Sequence, residues 1–139
     1  MSQPGIHLQF IGPHKIELDG PDVLHVRCIG EMNATNVRQI TALAEAHIAQ
    51  LAGSYMLVDL RKGAGLPKEA RMLVAGWLRD NHLAAVVNYG ASTMSRAFSS
   101  LAIRALALLY GQDVENIFVE TEEDAHTWVA RHRARRTSR

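Results

Sequence analysis

Apolar and polar residues alternate along the first thirty positions, then give way to runs and helical stripes. Ile6-His7-Leu8-Gln9-Phe10 alternates as a short strand, and Gly12-Pro13 breaks it. His14 to Leu18 is the next strand. Asp19-Gly20-Pro21-Asp22 is a turn cluster, and Val23 to Ile29 follows as a β-branched strand closed by Gly30. The chain therefore opens with a hairpin. Asn33 is a suitable N-cap for a first helix. Val37, Ile40, Ala44, His47, Ile48 and Leu51 share one face of it, and Gly53 is its stop signal. Tyr55-Met56-Leu57-Val58-Asp59-Leu60-Arg61 is an apolar run ending in charge, the pattern of a strand buried on both faces.

Pro67 suits the first position of a second helix. Ala70, Leu73, Val74, Trp77 and Leu78 recur at helical spacing up to Asn81. Leu83 to Tyr89 is another apolar strand, and Gly90 to Arg96 a loop. A third helix is predicted over Ser95 to Tyr110. Phe98, Leu101, Ala102, Ala105, Leu106 and Leu109 make one stripe, while Ile103, Ala107, Leu108 and Tyr110 cover much of the other side. A helix apolar nearly all round must be covered on both sides. Gly111 ends it, and Asn116 to Glu120 is a last strand. Thr121 with Glu122, Glu123 and Asp124 starts a final helix, whose inner face is Ala125, Trp128, Val129 and His132. Strands alternating with helices need right-handed parallel crossovers. The expected fold is α/β: one domain over 1–139, with a mixed, mostly parallel sheet, an opening hairpin and four helices.

Composition changes this picture little. At 139 residues, 47% hydrophobic and 21% charged, the chain can bury a core without metal or disulfides. The single cysteine, Cys28, sits in an apolar strand and reads as a small buried hydrophobe. The N-terminus has no basic and apolar leader pattern, and no apolar run reaches a membrane-spanning length, so a cytoplasmic setting is expected. Charge is uneven. Arg131, Arg133, Arg135, Arg136 and Arg139 form a basic end; without them ten basic residues face 14 acidic ones. Such an end suits the helix C-terminal dipole as a frayed, solvated tail; attraction of the tail to anionic lipid at a membrane surface or to nucleic acid is the other reading. Nucleic acid is not an expected partner.

The order of elements resembles the STAS superfamily, and within it the bacterial-type SpoIIAA-like proteins described as STAS/SEC14-like. The residues that carry the resemblance are the hairpin ending in Gly30, the strand closing in Val58-Asp59-Leu60-Arg61, and the segment from Phe118 through Glu123-Asp124-Ala125 to Trp128. It covers roughly Lys15 to His132. The resemblance implies a regulatory protein-interaction module switched by phosphorylation of a serine just after the central strand. Its Sec14-like side implies instead a carrier or sensor of a small apolar, lipid-like ligand that associates peripherally with membranes. This chain departs from the first pattern: from Tyr55 to Ala91 there is no serine or threonine. A phosphate switch needs an oxygen to carry its charge, so the switch cannot work there in that form.

Two loops should meet at the carboxyl ends of the parallel strands, where ligands bind in α/β sheets. One carries Arg61, Lys62, Gly63, Gly65, Lys68 and Arg71, the other Ser92, Thr93, Ser95 and Arg96. Together they are a candidate site for an anion or a protein partner. Trp77, Phe98, Leu101, Ile103, Ala107 and Leu108 are candidates for a homodimer seam or an apolar-ligand surface. Asp59 reads as a strand-end residue that fixes its loop through backbone N–H groups. The seven histidines include no pair three or four apart and none beside the cysteine, so neither metal nor cofactor is expected. No nucleophile elbow, H-E-x-x-H or Walker motif is present, and enzyme activity is not expected.

Overall fold

Six strands lie side by side in chain order in the computed structural model, which describes residues 6–91 and 114–137. β1 (Ile6–Ile11), β2 (His14–Asp19) and β3 (Val23–Gly30) are antiparallel neighbours. β4 (Tyr55–Gly63), β5 (Ala85–Tyr89) and β6 (Glu115–Val119) continue the sheet in parallel from β3. This is the expected mixed, mostly parallel α/β sheet behind an antiparallel opening. Three helices are described: α1 (Ala34–His47), α2 (Lys68–Asn81) and α3 (Glu122–Thr137). The helix predicted over Ser95 to Tyr110 lies outside the described residues. Among the described residues no helix is long and apolar enough to cross a membrane.

The period of two along each strand sorts side chains onto two faces. Leu24, Val26 and Cys28 of β3 and Met56 of β4 join Val37, Ile40 and Ala44 of α1 and Ala70 and Leu78 of α2 in one apolar cluster. Tyr55 and Leu57 of β4, with Val87 and Tyr89 of β5, face the other way and pack under Ala125 and Val129 of α3. Burying each Leu- or Val-sized side chain stabilises by about 1.5–3 kcal/mol. The sheet is thus closed by α1 and α2 on one face and by α3 on the other.

Element ends follow local chemistry. Asn33 caps α1: its Oδ1 accepts from Asn36 N–H at 2.8 Å, and the Asn36 side chain returns the bond. The apolar stripe predicted through Leu51 stops earlier. α1 ends at His47, Ile48 is extended, and His47 faces out rather than into the core. Pro67 sits one position before the first turn of α2, at its N-cap, where it makes no side-chain cap. Thr121 Oγ1 accepts from Asp124 N–H at 3.1 Å and starts α3. The arginine-rich end, read as a solvated tail, is helical to Thr137. There Arg133 Nε donates to Asp22 at 2.9 Å, and Arg136 Nη1 donates to the Gly53 carbonyl at 2.7 Å and to the Tyr55 hydroxyl at 3.0 Å.

Candidate functional site

The α3 side of the sheet carries charge among its apolar residues. In β3, His25 and Arg27 are two apart and so share that face. The register sets Glu17 of β2 opposite His25, and Asp59 of β4 opposite Arg27. Tyr89 of β5 lies beside Asp59, and the first turn of α3 brings Glu122 and His126 over them.

Arg27 is the hub. Its Nε donates to Glu17 Oε1 at 2.9 Å, and Nη1 donates to Asp59 Oδ2 at 3.4 Å. Its two terminal nitrogens donate to the two oxygens of Glu122 at 3.0 and 3.2 Å. Nη1 also donates to the Tyr89 hydroxyl at 3.0 Å, and that hydroxyl shares a 2.7 Å hydrogen bond with His25 Nε2. The Arg27 bonds pull the Glu122 carboxyl down to about 2. Burial pushes the Tyr89 phenol above its usual value, and burial, with the charge of Arg27, holds His25 below its own.

Asp59 is the second node. Burial works to raise its pKa, but hydrogen bonds from Arg61 outweigh that, and the carboxyl ends below its ordinary value. Its Oδ1 accepts from the Arg61 backbone N–H and from Nε, both at 3.0 Å, and Oδ2 accepts from Nη2 at 2.8 Å. A bulge makes this return possible. Arg27 faces Asp59, but Ile29 already faces Lys62, so β4 carries one extra residue there. The guanidinium carbon of Arg61 lies 5.6 Å from the Tyr89 ring centroid, a cation–π contact. Gly90 is required beneath it: its φ is +76°, and a Cβ there would come within 2.3 Å of Arg61 Cγ.

The residues expected to bind an anion or partner divide. Arg61 is spent on Asp59 and Tyr89. Arg71 Nη1 donates to the Leu66 carbonyl at 3.1 Å and closes the loop from within. Lys62, Gly63, Gly65 and Lys68 are exposed. The loop backbone is tied down, with Ala64 N–H donating to the Gly30 carbonyl at 3.0 Å and Met32 N–H to the Gly65 carbonyl at 3.1 Å. Trp77 packs against the α1–α2 core and donates from Nε1 to Glu45 at 3.1 Å. Ser92, Thr93, Ser95, Arg96, Phe98, Leu101, Ile103, Ala107 and Leu108 lie outside the described residues. Cys28 is buried as expected, and burial, with the charge of Asp59, pushes its thiol up to about 12.

The sequence reading missed His25, Arg27, Tyr89, Glu122 and His126. Two signals pointed to them: two polar residues at i and i+2 in an apolar strand, and a Glu–His pair at i and i+4 in a helix. Counting histidine pairs alone passed over a cluster in which His25, Glu122 and His126 offer donor atoms all within 4.8 Å of one another.

A six-stranded mixed sheet in this order, with α1 and α2 on one face and α3 on the other, is a SpoIIAA/STAS-like fold. Solved structures that share it include the following two. One is an uncharacterised DUF3478-family protein with a SpoIIAA-like fold from Shewanella loihica PV-4: TM-score 0.60, 21% identity, covering 93% of this chain and 98% of that one. The other is the anti-sigma factor antagonist SpoIIAA in its unphosphorylated form: TM-score 0.51, 16% identity, covering 90% of this chain and 97% of that one. No protein-family model and no curated protein matches the chain.

Proposed function

We propose that this domain is a non-enzymatic regulatory module that binds a protein partner through the loop after β4, without serine phosphorylation of that loop. The observation that carries the reading is the loop itself. Exposed Lys62, at the end of β4, and exposed Lys68, at the start of α2, flank it, and the backbone between them is held to Gly30 of β3 and to Met32 before α1. A surface already ordered before contact loses little conformational entropy on binding. SpoIIAA, whose fold this chain shares, is an anti-sigma factor antagonist, which favours a protein partner over a substrate. The carboxylates nearby support the same view. Asp59 and Glu122 are tied to guanidiniums and held ionised, so neither is poised for proton transfer near neutral pH.

Affinity capture from native cells, with the wild type beside Lys62→Glu/Lys68→Glu, tests this. The charge reversal is expected to cut retention of the specific partner by about tenfold or more while circular dichroism stays unchanged. A partner retained equally by both proteins sinks the reading. So does phosphate found by mass spectrometry on a serine or threonine of the wild type that controls the binding. Carriage of an apolar ligand is the alternative. Its surface feature among the described residues is a shallow open groove between α1 and α2, where Val37, Leu73 and Trp77 lie beside Arg38, Thr41 and Asp80, and liposome flotation would reveal it.

A further inference from the structure

We propose that His25, Glu122 and His126 together bind a divalent transition metal of the zinc kind, joining β3 to the first turn of α3. Two imidazoles and one carboxylate are a donor set that zinc and iron(II) accept, with positions left for water. The three residues offer ligand atoms within 4.8 Å of one another. Tetrahedral bonds of about 2.1 Å place donor atoms about 3.4 Å apart, so the cluster must close by about 1.4 Å. Rotation of two side chains supplies that movement, because Glu122 and His126 both retain solvent access.

The neighbours are arranged as partners of metal ligands. His126 Nε2 is 3.5 Å from Glu122 Oε2, while His126 Nδ1 faces Asp19 Oδ2 at 4.0 Å. With Nε2 turned to the ion, Nδ1–H is left for Asp19, the carboxylate–histidine pairing that orients metal-bound imidazoles. The Tyr89 hydroxyl shares a 2.7 Å hydrogen bond with His25 Nε2 and lies 3.3 Å from Glu122 Oε1, which fixes the His25 ring beside Glu122. Arg27 is the competing cation, since it holds both oxygens of Glu122. It also has Glu17 at 2.9 Å and Asp59 at 3.4 Å, so it keeps two carboxylates when Glu122 turns to the ion.

Calorimetric titration of the full chain, stripped with chelator and then given zinc chloride, tests the site. One zinc per chain is expected, and at a hundredfold excess over Kd the melting temperature should rise by about 10 °C. His126→Gln replaces a part-exposed side chain and should fold normally by circular dichroism. It and Glu122→Gln should each weaken binding by about a hundredfold, and Asp19→Asn by about tenfold. His47→Gln, at the exposed end of α1, should leave affinity unchanged. Absence of saturable binding overturns the site. So does binding that His126→Gln weakens by less than tenfold, because the zinc would then sit on other surface histidines.

Discussion

The two faces of the sheet are built on different terms. Under α1 and α2 the strands present Leu24, Val26, Cys28 and Met56 to helix residues of the same kind, and the contact is mainly apolar, with His14 and Asn88 as buried polar residues within it. Under α3 an apolar layer of Leu57, Val87, Ala125 and Val129 is flanked by the network around Arg27. An apolar face gains free energy from burial alone and tolerates many side chains of the right volume. A charged face gains little net energy, because desolvation offsets much of the attraction, but it loses a great deal when one partner is removed. The first face therefore supplies stability. The second fixes where α3 begins and which groups stand at the strand ends.

Leu24→Ala should give the largest loss. Leu24 is 1% exposed and faces the α1–α2 cluster. The truncation should cost about 3 kcal/mol by urea unfolding, from lost transfer energy and the cavity left behind. A loss below about 1 kcal/mol would mean that this face repacks freely and is not the main source of stability.

Arg27→Met should come next, at about 2 kcal/mol. It keeps most of the side-chain volume but leaves Glu17, Asp59 and Glu122 facing one another. High salt should shrink that loss by screening the three carboxylates, whereas the loss from Leu24→Ala should hardly respond. If both losses respond alike to salt, the contrast between the faces fails.

Asp59→Asn should cost about 1 kcal/mol at neutral pH, because the amide keeps some hydrogen bonds and loses the charge-assisted ones. Here pH gives the sign. The folded pKa of Asp59 is depressed, so its contribution is present above the unfolded value of about 3.9 and lost as pH falls through the folded one. The gap between wild type and Asp59→Asn should therefore close on acidification below about pH 4. A gap that widens instead would show that Asp59 is protonated in the fold at neutral pH.

Much of the apolar face was legible in the sequence, because its information is local. The strand run Val23 to Ile29 and the spacing of Ala70, Val74 and Leu78 needed only a window of a few residues. α1 was overrun because Ile48 and Leu51 continue the helical spacing while packing on the core from chain beyond the helix. The charged face was illegible for the opposite reason. Arg27 and Glu122 are 95 residues apart, and only the register of β3 with β4 and the start of α3 brings them together. Asp59 was the exception, because its bond to the Arg61 backbone is local, although Asp59 stands within β4 rather than at its end.

Ala64→Ser should change least, and it asks whether the missing hydroxyl matters by itself. Ala64 is exposed, and its backbone N–H already donates to the Gly30 carbonyl. Serine keeps that bond and adds one solvated oxygen, so stability should stay within about 0.5 kcal/mol. Partner retention should also stay at the wild-type level, because an unmodified hydroxyl brings no charge to Lys62 and Lys68. Phosphorylation of the new serine would bring about −1.5 to −2 charges beside those lysines and should then release the partner. If Ala64→Ser alone halves retention, the partner reads the loop by shape rather than by charge. The contact would then be packed tightly at Ala64, and the cationic character of the loop would be incidental to it.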